Sequence, residues 1–218
     1  MSVEVTWFGH AWFMAESQGK RVLFDPLSKK DSGRIASGIV PDVSAKPDLI
    51  LISHSHSDHW NPDTIESYSS PSTIIVAPHK PAQSIPGSKE IAAGETLDAD
   101  GVQVKAVPAH NLHKFFHRKG KGVGYLVKLG GKVIYHAGDT DAIPEMSSLG
   151  HVDVALLPIG GKFTMDVDEA AQAARMVSPS VAVPMHNLDT PGIELSKRLA
   201  DTPSIRVIVP EIGKPFSI

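Results

Sequence analysis

The sequence has no cysteine among its 218 residues. That removes disulfides, thiolate metal sites and cysteine nucleophiles together, and leaves no support for a disulfide-stapled secreted fold. No window approaches about 18 consecutive apolar residues, so no membrane-spanning helix is expected. The first ten residues lack the basic start and apolar stretch of an export signal. Charge of one sign is missing too: 21 basic side chains face 24 acidic ones, for a net charge of -3, which gives no general drive toward nucleic acid or an anionic membrane. Low-complexity tracts and strong internal repeats are absent, and a 41% hydrophobic content lets a chain of this length bury a core unaided. The expectation is one domain over residues 1–218 in a reducing cytoplasm. What is present in surplus is histidine, with 11 copies, and neutral imidazole is a common ligand of zinc-like metals.

Hydrophobic patterning predicts a mixed α/β fold. Three β-prone runs, Val3 to Phe8, Ala11 to Ala15 and Arg21 to Phe24, form a meander broken at Gly9-His10 and Gln18-Gly19. The run Asp48 to Ser53 is almost uniformly apolar, as in a strand buried on both faces, and Thr73 to Ala77 is another. Between them Asn61 and Pro62 open a helix. Strands follow at Val102 to Val107, Gly124 to Leu129 and Lys132 to His136, the last two joined by the Gly130-Gly131 turn. The second half alternates: strand Val152 to Pro158, helix Val167 to Val177 behind an Asp166/Glu169 capping box, strand Val181 to Met185, helix Pro191 to Leu199, strand Ile205 to Val209. Such alternation predicts a layered α/β domain with helices outside.

The chemistry concentrates just after the buried DLILIS strand, in His54-Ser55-His56-Ser57-Asp58-His59. In nearly extended chain, residues i and i+2 face the same side, so His54 and His56 converge on one metal. Asp58 and His59, beyond the strand end, face a neighbouring point, which suits a second ion about 3.5–4 Å away. Three further ligand types end apolar strands: His110, Asp139 and His186. Beyond the carboxyl ends of buried strands, loops converge over a rigid floor, so these positions share one place. A lone buried histidine is more often a satisfied core residue, but a run of three with an aspartate costs stability unless something uses it.

The run His54, His56, Asp58, His59, followed by His110, Gly138-Asp139-Thr140 and His186, resembles the ligand set of the metallo-β-lactamase superfamily over essentially the whole chain. That resemblance implies an αββα four-layer sandwich. It also implies one ion held by His54, His56 and His110, a second by Asp58, His59 and His186, and Asp139 bridging them. Trp7-Phe8-Gly9-His10-Ala11, Asp25-Pro26, Leu157 to Met165 and Pro184-Met185-His186 resemble a branch of metal-dependent hydrolases near the ascorbate-6-phosphate lactonases. The superfamily's β-lactamases commonly carry a cysteine where this chain has Asp139, and its tRNA-processing nucleases carry a long Gly/Pro-rich arm of which no counterpart is seen. The related lactonases imply a homo-oligomer.

The resulting expectation is a hydrolase using two divalent ions, zinc first, with manganese, iron or nickel open to the same ligands. A metal-bridging hydroxide, formed because zinc lowers the pKa of its water to about 7, would attack a small, anionic ester, lactone or phosphoester. Asp58 would bind the second ion and aim the hydroxide, and His10 would donate the leaving-group proton or contact substrate. Asp25 is expected to orient a ligand imidazole or form a turn. From Gly101 to Gly138 there is no acidic residue, and seven basic ones include Lys114, Arg118, Lys119 and Lys121. That loop either attracts an anionic substrate or is a solvated surface. A nucleic-acid phosphodiesterase would use the same metals, but it needs a broad basic face that the net charge does not suggest.

Overall fold

In the computed structural model, which describes residues 2–27 and 46–218, the chain opens as the expected meander. Strands β1 (Glu4–Gly9), β2 (Trp12–Ser17) and β3 (Lys20–Phe24) pair antiparallel. Left-handed residues make both turns, Gly9 and His10 at φ 105° and 53°, Gln18 and Gly19 at 54° and 77°. Strand β4 (Leu49–Leu51) then joins β3 in parallel, and β5 (Ile74–Ala77) joins β4. Helix α1 (Pro62–Tyr68) makes the crossover, its first turn capped where the Asn61 side chain accepts the Asp63 N–H.

The uniform hydrophobicity of β4 has a direct cause. Leu49 and Leu51 face the large core between the sheets, while Ile50 and Ile52 face a second cluster with Leu23, Ile65 and Tyr68 under α1. Successive side chains point to opposite sheet faces, so a strand covered on both must be apolar throughout.

Helix α2 (His79–Ser84) and strand β6 (Lys89–Glu90) complete the first sheet's far edge. The second sheet starts with β7 (Thr96–Ala99), β8 (Val102–Ala109), β9 (Gly122–Leu129) and β10 (Lys132–His136), all antiparallel. It continues in parallel through β11 (Val154–Pro158), β12 (Val181–Met185) and β13 (Arg206–Val207). Helix α3 (Val167–Val177), with the Asp166/Glu169 capping box formed, crosses from β11 to β12 and buries its alanine face. Helix α4 (Ile193–Arg198) follows β12. Strand β14 (Pro215–Ser217) returns to pair with β1.

Each sheet has seven strands among the described residues, ordered β14-β1-β2-β3-β4-β5-β6 and β13-β12-β11-β10-β9-β8-β7. Their shared core and the helices outside give the expected αββα sandwich. Helix α4 is shorter than the Pro191 to Leu199 run, because Gly192 serves as its N-cap. Strands β6, β7 and β14 carry too few alternating apolar residues to stand out in the sequence. No helix among the described residues is long and apolar enough to cross a membrane.

Candidate metal centre

Strand ends β1, β4, β10 and β12 deliver His10, the His54 to His59 run, Asp139 and His186 to one edge of the sandwich. Among the described residues three groups bring their ligand atoms within 4.8 Å of one another: His54, His56 and His117; His54, His59 and Asp139; and His10, Asp58, His59 and His186. Asp139 ties the groups together. Its Oδ2 lies 3.2 Å from Nε2 of both His117 and His186, and its Oδ1 lies 3.4 Å from His59 Nε2.

Asp25 explains why these rings face inward. Its carboxylate accepts the Ser53 N–H at 2.7 Å, the Ser53 hydroxyl at 2.6 Å and His59 Nδ1–H at 2.7 Å. With its own proton given to Asp25, the Ser53 oxygen accepts from His54 Nδ1–H at 2.9 Å. One carboxylate thus fixes two imidazoles in the tautomer that leaves Nε2 free toward the centre. The orienting role expected of Asp25 has its geometry here. Asp25, His10 and His186 all sit at positive φ (43°, 53° and 44°), strained conformations that persist where the surroundings over-determine them. The His186 N–H donates to the His10 carbonyl at 3.1 Å, locking two of these turns together. Gly138 is required before Asp139: at φ 63°, a Cβ there would lie 2.9 Å from the Val123 carbonyl.

The donor set fits cations. His59 Nε2, Asp139 Oδ1 and both ring nitrogens of His186 are buried without a hydrogen-bond partner, an arrangement costly unless a ligand engages them. His56 Nδ1 lies 3.0 Å from His54 Nε2 and 3.2 Å from His117 Nε2, and three imidazole nitrogens pointing at one spot cannot all pair with each other. Burial opposes charge on His59, yet the Asp139 and Asp25 carboxylates hold its imidazole well above the usual range. Burial likewise penalises the Asp139 carboxylate, but His186, His59 and His117 hold it well below its ordinary value. The Asp139 carboxylate is thus ionised at the centre of the site.

The structure differs from the sequence reading at two residues. His110, expected to be a ligand, is absent from all three groups. It follows β8 with its N–H donated to Thr140 Oγ1 at 3.1 Å and its Nδ1 buried without a partner. His117 takes the position instead. The loop after β8 folds back so that the Asn111 side-chain oxygen accepts the His117 N–H at 2.9 Å, while Asn111 Nδ2 donates to Asp141 and to the Phe163 carbonyl. Strand-end position pointed to His110, and nothing in the spacing alone marks a candidate ligand in the middle of the loop.

His10, expected as a proton donor, is 3% exposed and packs on the His186 ring at 3.8 Å between centroids. Burial and His186 push its pKa down to about 4 against the opposing Asp58 hydrogen bond. It is a neutral imidazole at pH 7, with Nε2–H donated to Asp58 Oδ2 at 3.2 Å. His136 and Thr140 stay outside the centre: His136 stacks on Phe24 and donates to the Ala11 carbonyl, and Thr140 braces His110.

Known proteins carry the same framework. A sequence model described as "Beta-lactamase superfamily domain" matches residues 4–186. A UPF0173 metal-dependent hydrolase of Thermoplasma acidophilum is 35% identical, with 100% of this chain and 99% of that protein covered. Its counterpart in Thermococcus kodakarensis is 37% identical over 95% of this chain and 97% of the relative. Among solved structures, a protein from Parabacteroides distasonis superimposes with TM-score 0.85 at 32% identity, covering 96% of this chain and 93% of that one. A metallo hydrolase from Ignicoccus hospitalis superimposes with TM-score 0.78 at 27% identity over 100% and 99% of the two chains. Sheet order, converging imidazoles and full-length relatives agree: the chain belongs to the metallo-β-lactamase superfamily, among the UPF0173 metal-dependent hydrolases.

Proposed function

We propose that this metal-dependent hydrolase is dinuclear and acts on a small, anionic ester, lactone or phosphoester in the cytoplasm. The observation that carries this reading is Asp139, whose Oδ2 lies 3.2 Å from His117 Nε2 of one group and 3.2 Å from His186 Nε2 of the other, so that one carboxylate would serve two neighbouring ions. Two divalent ions, zinc first, would supply Lewis-acid polarisation of the scissile group and a hydroxide from water at neutral pH.

The chain's own residues do the rest. His54, His56 and His117 would hold one ion, and Asp58, His59 and His186 the other, with His10 beside them. A cavity of about 160 Å³ opens over the centre, lined by His56, Asp58, Phe116, Phe163 and others. Asp58 is the polar group best placed in it. Burial pushes its pKa up, but the His10 hydrogen bond and His59 hold it below the usual carboxylate range, so at neutral pH it is ionised and can accept the hydrogen bond that aims the nucleophile. His10 steers that carboxylate, and the leaving-group proton comes from another source. Phe116 and Phe163, ring centroids 4.7 Å apart, wall the cavity.

The test is metal content of freshly purified protein together with hydrolysis of lactones, phosphodiesters and thioesters, in wild type and in Asp139→Ala. Two ions per chain and a hit abolished by the substitution are expected. Fewer than one ion per chain after reconstitution with zinc or manganese would overturn the reading.

A further inference from the structure

The basic loop between β8 and β9 divides into two sets of cations. Lys114 is engaged by Asp141 at 2.7 Å and Glu169 at 3.3 Å, and Lys119 by Glu145 at 3.0 Å. Arg118 and Lys121 have no carboxylate partner among the described residues, and neither has Lys80 at the start of α2. These three side chains line one cleft of about 590 Å³ together with His56, Phe115 and Phe116. Its size falls within the range of small-molecule sites. His56 and Phe116 also line the cavity over the metal centre, so the cleft is continuous with the place where a bond would be broken. Among the described residues no carboxylate lines the cleft, and Glu90, the partner of the lining His79, is taken up by it at 3.0 Å.

Two features of the cleft restrict what fits it. Three cations of a cleft without an unpaired acid match a dianionic group with several acceptor oxygens better than a single carboxylate, and a phosphomonoester carries about -1.5 to -2 at pH 7. Phe115 is 88% exposed, and a phenyl ring left bare beside cations is a surface for a planar apolar group. Phe116, by contrast, already rests edge-on against Phe163.

We propose that this cleft is a binding subsite for small phosphomonoesters with a flat, apolar body. Lys80, Arg118 and Lys121 hold the phosphate, Phe115 covers the body, and the far end of the molecule reaches His56. The proposal rests on the hydrolase reading for the role of the neighbouring centre, and it assigns that centre a substrate class: phosphorylated compounds whose scissile bond lies away from the phosphate. The binding itself is independent of that reading.

The probes are AMP, ribose 5-phosphate and adenosine, titrated calorimetrically into metal-loaded protein. AMP is expected to bind more tightly than either of the others. The Arg118→Glu/Lys121→Glu variant should weaken AMP and ribose 5-phosphate by about 10-fold or more. Phe115→Ala should weaken AMP alone, by about 5-fold or more. Lys119→Glu, a charge reversal of equal kind outside the cleft, should leave AMP affinity unchanged. All these side chains are exposed, and equal melting temperature and metal content confirm that the variants fold. Wild-type AMP affinity in the double variant would place the phosphate on the metals and overturn the subsite. So would no binding of either phosphate at millimolar concentration. Equal affinity for AMP and ribose 5-phosphate would overturn the part assigned to Phe115. Binding as described without hydrolysis of any substrate would count against the hydrolase reading and leave the subsite standing.

Discussion

The two halves of the metal centre are held by different kinds of chain. On one side, His54 and His59 follow the buried strand β4, His54 fastened through Ser53 and His59 directly to the buried Asp25. His59 is 0% exposed. On the other side, His56 is exposed and His117 comes from the middle of a loop, held by the Asn111 side chain and the Phe163 carbonyl. The first half is a rigid floor and the second an adjustable wall. A ligand on the floor inherits its position from the sheet, whereas one on the wall inherits it from a handful of loop hydrogen bonds. The open half is also the one that meets both cavities.

The contrast can be broken most sharply at the loop. His117→Ala should lose metal at the open half and reduce hydrolysis by more than about 100-fold, the upper end for residues that only brace a ligand. His110→Ala should keep both ions. Metal analysis of the two variants decides between them, and loss of metal in His110→Ala with retention in His117→Ala would reverse the assignment.

The floor is probed by Asp25→Asn. Asparagine tolerates the φ of 43° at this position, so the backbone survives, but its neutral amide no longer stabilises the two imidazole tautomers. Metal affinity should fall by about 10–100-fold in a chelator competition. An unchanged affinity would mean that the sheet alone positions His59 and His54.

The smallest expected effect lies away from the centre and separates frame from site. Asp153, with 12% of its side chain exposed, accepts the Val133 N–H at 2.8 Å and Lys132 Nζ at 3.1 Å, clamping β10 to β11. Burial raises its pKa, but the Val133 amide and Lys132 outweigh it and hold it below 3.8. A depressed carboxylate pKa contributes stability that is fully present above the ordinary value and is lost as pH falls through the depressed one. Asp153→Asn should therefore cost about 1 kcal/mol at pH 7, and the gap to wild type should close as pH drops below 3.8. Denaturant unfolding at several pH values checks this, with metal content staying at the wild-type level. Metal loss in that variant would show that frame and site are not separable.

Much of this was legible in the residues themselves. The helix Val167–Val177 and the strand Val181–Met185 were readable to the residue, because a capping box and an apolar run are local signals. The His54 to His59 run, Asp139 and His186 were readable as a set because each follows a buried strand, and strand ends in such sheets share an edge. His117 was not, since an identical-looking His110 stood at the strand end and only the return of the loop through Asn111 and Asp141 chooses between them. Nor was the role of His10, whose neutral state comes from burial against His186.

By itself, the order of apolar runs, caps and histidines determined a layered α/β sandwich with candidate metal ligands placed after its buried strands, for these depend on neighbours close in the chain. Only the tertiary structure decided which histidine completes the open half and which cations line the cleft. Lys80 and Lys121 are far apart in sequence, and Lys119 and Lys121 are nearly adjacent. Pairing with Glu145, a contact made in space, is what takes Lys119 out of the cleft's charge and leaves Lys121 within it.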